Sequence, residues 1–106
     1  MAGVITGNVQ SLSVVSVALT PSAVAINTTA EQTFTVPGVL ASDVAVSVSK
    51  PTAQAGLGIV GMRVTAANTV GITFSNNTAG SITPTAGETY KFVLARPDST
   101  QAGFNV

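Results

Sequence analysis

The stretch Val44-Ala45-Val46-Ser47-Val48-Ser49 decides the fold class of this chain. Valine alternates with a small residue at every step, which is the period of a β-strand with one apolar face. Valine is also β-branched and suits a pleated surface. Lys50-Pro51 follows and ends the run, because proline donates no hydrogen bond to a ladder. On this phase Val44, Val46 and Val48 are expected to face a core, with Ala45, Ser47 and Ser49 on the other side.

Working outward, the same logic recurs. Residues 59–65 read as the next strand, and Ala66-Ala67-Asn68-Thr69 as a tight connection in which Asn68 can take a left-handed conformation. Val70, Ile72 and Phe74 return as its hairpin partner. Residues 76–87 form a loop rich in Asn, Gly, Thr and Pro, and residues 89–95 are a strand with Tyr90, Phe92 and Leu94 on one face. The Tyr90 hydroxyl is expected at the rim of the core. Pro97-Asp98-Ser99-Thr100 closes the domain.

Toward the N-terminus, residues 31–36 alternate, with Phe34 and Val36 facing one way, and Pro37-Gly38 is a turn signal. Residues 12–20 read as a first strand whose apolar set (Val14, Val15, Val17, Leu19) nearly fills both faces, as in a strand buried on both sides or covered by a neighbour. Several short strands spaced by turns specify an all-β fold: a single β-sandwich, Ig-like or jelly-roll-like, of about 6–8 antiparallel strands. Phe34, Val46, Ile72 and Phe92 are its expected core.

Composition agrees. The 106 residues make one domain, and 45% of them are hydrophobic, but only 8% are charged. Fifteen threonines and ten serines, about a quarter of the chain, carry the polar surface. Four basic residues (Lys50, Arg63, Lys91, Arg96) balance four acidic ones (Glu31, Asp43, Glu88, Asp98), so the clustered basic face of a nucleic-acid binder is absent. There is no cysteine and no histidine, which removes disulfide frameworks, zinc fingers and histidine-dependent catalysis. No run approaches the length of a membrane span, and Met1-Ala2-Gly3-Val4-Ile5-Thr6-Gly7-Asn8 lacks the basic and apolar regions of a signal peptide. Synthesis in a cytoplasm is therefore expected, and the sequons at Asn27 and Asn76 are then only loop chemistry.

The chemical motifs fail in context. Gly56-Leu57-Gly58-Ile59-Val60-Gly61 is a literal G-x-G-x-x-G, but Met62-Arg63-Val64-Thr65 runs on into a hairpin and no helix follows to receive a phosphate. Its glycines read instead as a strand entry and a bulge. Thr28-Thr29-Ala30-Glu31 fits a helix capping box, yet the next residues alternate and Glu31 opens a strand. The four carboxylates are scattered beside turns and strand ends, where solvated carboxylates sit. No catalytic, cofactor or metal residues are assigned, and the chain is not expected to be an enzyme.

A monomer with open sheets guards its edges with charge or proline. Here almost no charge is available, and a neutral surface favours association. A component that docks and stays docked fits this composition. The ends are the candidate assembly contacts: residues 1–10 hold Val4, Ile5 and Val9, and residues 98–106 hold Phe104 and Val106, too few for full core strands. Such arms order when a partner ties them down.

Residues 19–95 resemble the short β-rich decoration (cement) proteins on the outer capsid of some short-tailed bacteriophages, cyanophages included. The resemblance is carried by Thr28-Thr29-Ala30-Glu31-Gln32-Thr33-Phe34-Thr35-Val36, by Lys50-Pro51-Thr52-Ala53-Gln54-Ala55-Gly56-Leu57-Gly58-Ile59 and by Thr83-Pro84-Thr85-Ala86-Gly87-Glu88-Thr89-Tyr90. It implies a homotrimer of β-sandwiches on the outside of a virion, clamping the major capsid protein, with a host-surface glycan as a further partner. The alternative expectation is a glycan- or receptor-binding sandwich module of a phage tail fibre, a spike or a bacterial adhesin.

Overall fold

A computed structural model describes residues 9–97. They form six strands: β1 (Val9–Leu19), β2 (Thr28–Thr35), β3 (Val44–Ser49), β4 (Leu57–Ala66), β5 (Thr69–Asn76) and β6 (Glu88–Pro97). All pairings are antiparallel, in two three-stranded sheets ordered β1-β6-β3 and β2-β5-β4. The all-β, sandwich-like fold expected from the sequence is the fold observed, its two sheets sharing one core and not closing into a barrel. Val9 and Gln10, read as part of an N-terminal arm, already belong to β1.

Each sheet has its most buried strand in the middle, because only a central strand is flanked on both sides. Val70, Ile72 and Phe74 of β5 and Tyr90, Phe92 and Leu94 of β6 are buried and meet in one core with Leu19, Val24, Val36 and Val39. Half-buried Phe34, Val48, Ile59, Met62 and Val64 pack around it. Ile72 and Phe92 thus sit where their strand phase placed them, and Phe34 borders the same core.

Turn chemistry follows the residues. Asn68 takes the left-handed conformation (φ 59°) between β4 and β5, as Asn tolerates. Its carbonyl accepts from Val36 N at 2.9 Å and its Oδ1 from Gly38 N at 2.8 Å, so the hairpin is tied to the Pro37-Gly38 turn. Gly56 (φ 80°) enters β4, and the register slips between Ile59 and Gly61, so a bulge stands where the glycine-rich stretch implied one.

Three expectations are corrected. Val46 is not in the core. The ladder between β3 and β6 slips between Ala45 and Ser47, so Val46 is an extra residue without a partner and the phase inverts across it. Ala45 and Val48 point inward, while Val44 and Val46 lie outside, 53% and 56% exposed. Next, among the described residues β1 is enclosed on one face and not on both: Val15, Val17 and Leu19 face the core, but Leu12 and Val14 are each 67% exposed, which leaves cover by a neighbour as the other half of that reading. Finally, the carboxylates of Glu31 and Asp43 are not simply solvated. Glu31 lies within β2 and is gripped by Arg63, and Asp43 is buried against Arg96.

Candidate functional site

The described charges are already spoken for. Seven charged residues fall within residues 9–97, and six of them form three ion pairs. Arg63 binds Glu31 in a two-pronged pair (2.8 Å and 2.8 Å) across Gly71 of β5. A side chain at Gly71 would occupy the space of the Glu31 carboxylate, so glycine there keeps the notch that the pair crosses. Lys50 Nζ lies 3.0 Å from Glu88 Oε1, and the Thr52 hydroxyl donates to Glu88 Oε2.

Arg96 and Asp43 close one end of the sandwich. Arg96 Nε donates to Asp43 Oδ1 and its Nη2 to Asp43 Oδ2, each at 2.9 Å, and Nη2 also reaches the Gly38 carbonyl at 3.0 Å. Asp43 Oδ2 further accepts from Leu40 N at 2.9 Å. The Arg96 hydrogen bonds hold the Asp43 carboxyl below its ordinary pKa, against the upward push of burial. Beside this pair a cavity of about 150 Å³ opens between β1-β6 and the connection from β2 to β3, lined by Ser11, Ser13, Pro37, Val39 and Leu94 among others. It exists because β1 turns serines inward there, where Val15 and Val17 fill the space further along. Three of the five N–H groups of the guanidinium at its wall are taken by protein groups.

The same holds for the other carboxyls. The Arg63 hydrogen bonds lower Glu31, and the Thr52 hydroxyl, followed by Lys50, lowers Glu88. A general acid must keep its proton near neutral pH. All three carboxyls are moved the opposite way. No three metal-ligating side chains come together among the described residues. The glycines of the G-x-G-x-x-G stretch lie at the entry of β4 and within it, with no helix N-terminus beside them.

Tyr90 departs from its expected place. Its hydroxyl is fully buried, and no described group hydrogen-bonds to it. Burial, helped by the nearby Glu88 charge, pushes its pKa up to about 12. Because Tyr90 is the only tyrosine and there is no tryptophan, tyrosinate absorbance reads this one group. The folded state holds the proton more tightly than the unfolded chain, so stability falls as pH rises from about 10 toward about 12. Tyr90→Phe removes that alkaline slope. It also removes an unsatisfied buried hydroxyl, so the variant is expected to unfold about 1 kcal/mol later than the parent at neutral pH in a urea titration. A loss of stability in Tyr90→Phe shows that the hydroxyl has a partner.

The distinctive feature lies on the outer face of β1-β6-β3. Partners in register share a face, and here Leu12, Ala95 and Val44 form one row and Val14 and Val93 the next, with the bulged Val46 beside them. Val9, 56% exposed, stands opposite Pro97 at the end of the same face. The Val14 row ends in Ser47, and polar residues take over further along, in the row Ser16, Lys91 and Ser49. The outer face of β2-β5-β4 is mostly the reverse: Thr29, Ser75 and Gly58, then Glu31, Thr73 and Gly61, then Thr33, Gly71 and Arg63, with the bulged Val60 of β4 as its exposed large apolar side chain. An antiparallel sheet normally solvates one face with polar residues. One sheet obeys this and the other does not.

Of the candidate assembly contacts, Val9 lies on this apolar face, whereas Val4, Ile5, Phe104 and Val106 lie outside the described residues. Leu12, Val14, Val44 and Val46 were not among the candidates. The signal was present in β1 and β6, where apolar residues of both parities follow one another: Leu12 and Val14 against Val15 and Val17, and Val93 and Ala95 against Phe92 and Leu94. No family model, curated protein or solved structure matches the chain.

Proposed function

We propose that this chain is a non-enzymatic structural protein that works by staying docked in an assembly. The observation that carries the reading is the apolar outer face of β1-β6-β3, with Lys91 alone charged at its polar end, set against a mostly polar face on the opposite sheet. A freely diffusing protein has no use for five large side chains from 53% to 67% exposed on one sheet face. The resemblance of residues 19–95 gives the assembly its identity in this proposal: the outer surface of a phage capsid, decorated and reinforced by trimers of this chain bound to the major capsid protein. The mechanism is interfacial. Burial of apolar area at about 25 cal/mol per Å² holds each contact, and repetition around the shell adds avidity.

Pelleting tests the reading. The purified chain is mixed with capsids assembled from the major capsid protein of a short-tailed phage, and separately with bacterial surface polysaccharide. It is expected to sediment with the capsids and to ignore the polysaccharide. Binding to polysaccharide alone supports the receptor-binding module of a tail fibre or adhesin instead.

A further inference from the structure

We infer that the outer face of β1-β6-β3 is the surface through which copies of this chain bind one another, with Leu12, Val14, Val44 and Val46 at its centre. This deepens the assembly reading, but it concerns the protein alone, before any capsid is met.

The occupant follows from the chemistry of the face. Leu12, Val14, Val44, Val46 and Val9 expose on the order of 500 Å² of apolar surface together, the upper range of the largest patch on a monomer. With the flanking Gln10, Ser16 and Ser47 the face reaches the roughly 600–800 Å² per partner of a stable interface. Lys91 is the one charged side chain among the described residues of this face, and it stands at the polar end of the patch. An acidic protein or a nucleic acid therefore finds no cluster to pair with. A lipid surface is anchored by cations and by interfacial Trp and Tyr, and the face offers neither around its apolar rows. A second copy matches it: equally flat, equally apolar and equally free of charge. Copies that meet through such faces oppose valine and leucine rows while Lys91 stays at the polar margin of the contact.

The strand edge next to the face points the same way. Edge strand β4 is broken by two register slips and β3 by one, devices that blunt pairing. Edge strand β1 is the longest strand and slips only at its first residues, between Val9 and Ser11. No described strand pairs with its outer edge. Edge strand β2 pairs without a slip but carries the charged Glu31, whereas β1 carries no charge, so a long and uncharged edge borders the least polar face.

Light scattering after size exclusion decides the matter on the full chain at 100 µM. The parent is expected to run at the mass of two or three 10.5 kDa chains. Val14→Glu places a charge in the middle of the contact and is expected to run as one chain, weakening association roughly 100-fold or more while keeping its far-ultraviolet circular dichroism. Thr33→Glu, on the polar face of the other sheet, keeps the parental mass. Should Val14→Glu fail to fold, Val44→Glu reads the same face from the opposite edge strand. A monomeric parent overturns the inference, and so does a folded Val14→Glu that associates as the parent does. A chain that pellets with capsids yet is monomeric alone overturns this inference and leaves the function proposed above standing.

Discussion

Phe92→Ala is expected to lower the unfolding free energy by about 3–5 kcal/mol, whereas Val46→Ala, in the same sheet, is expected to change it by less than about 0.5 kcal/mol. Phe92 is fully buried in the central strand β6, with Val15 of β1 and Val48 of β3 opposite it in register. Both flanking strands and the facing sheet close over the ring, so truncation leaves a cavity that no neighbour can fill. Val46 is the bulged residue of β3 and faces outward. The loss at Phe92 approaches the whole stability of a small domain, so that variant is expected to accumulate poorly in cells. Urea titrations followed by circular dichroism at sub-micromolar concentration make the comparison, since dilution removes any contribution from association. Equal losses in the two variants place Val46 inward and contradict the bulge.

That pair of residues also marks where sequence reading succeeds and where it stops. Strand and turn are local properties: alternation in β2, β5 and β6, the left-handed Asn68 and the turn at Gly38 follow from the residues at those places. The phase of β3 is not local. Its regular Val-x-Val-x-Val pattern belongs to an unbroken strand, and the slip that inverts it is fixed by the ladder to β6, where Ala45 and Val48 fit opposite Leu94 and Phe92. The ion pairs were hidden for the same reason. Glu31 and Arg63 are neighbours only because β2 and β4 flank the same stretch of β5 at Gly71. The apolar outer face was half legible. Alternation cannot tell a strand buried by its own fold from one covered by another molecule, and β1 and β6 carry apolar residues on both sides.

A second large effect is expected at a residue whose sequence suggested only loop chemistry. Asn76 ends β5 and is 1% exposed. Its Nδ2 donates to the carbonyls of Val24 at 3.0 Å and Gly80 at 2.8 Å, while its Oδ1 accepts from Thr78 N at 2.9 Å and from the Thr78 hydroxyl at 2.7 Å. The amide's two protons and two lone pairs are all used. Those bonds anchor the loop after β5 to the segment before β2, beside the bridge in which Val24 and Ile82 exchange backbone hydrogen bonds of 2.7 Å and 3.0 Å. The burial of this amide also keeps a glycan off the Asn76-Asn77-Thr78 sequon in the folded chain. Asn76→Asp preserves the shape and replaces the donor with an oxygen facing two carbonyls. Each unsatisfied buried group costs about 1–3 kcal/mol, so the variant is expected to lose roughly 3–5 kcal/mol at neutral pH. Burial and the facing carbonyls hold the new carboxyl above its unfolded pKa. The folded variant then binds a proton that the unfolded chain releases, and its stability deficit shrinks as pH falls. Urea titrations of parent and variant at pH 7 and pH 4 test this. A deficit that is small at pH 7, or that does not shrink in acid, shows that the donor at Asn76 does not hold the loop.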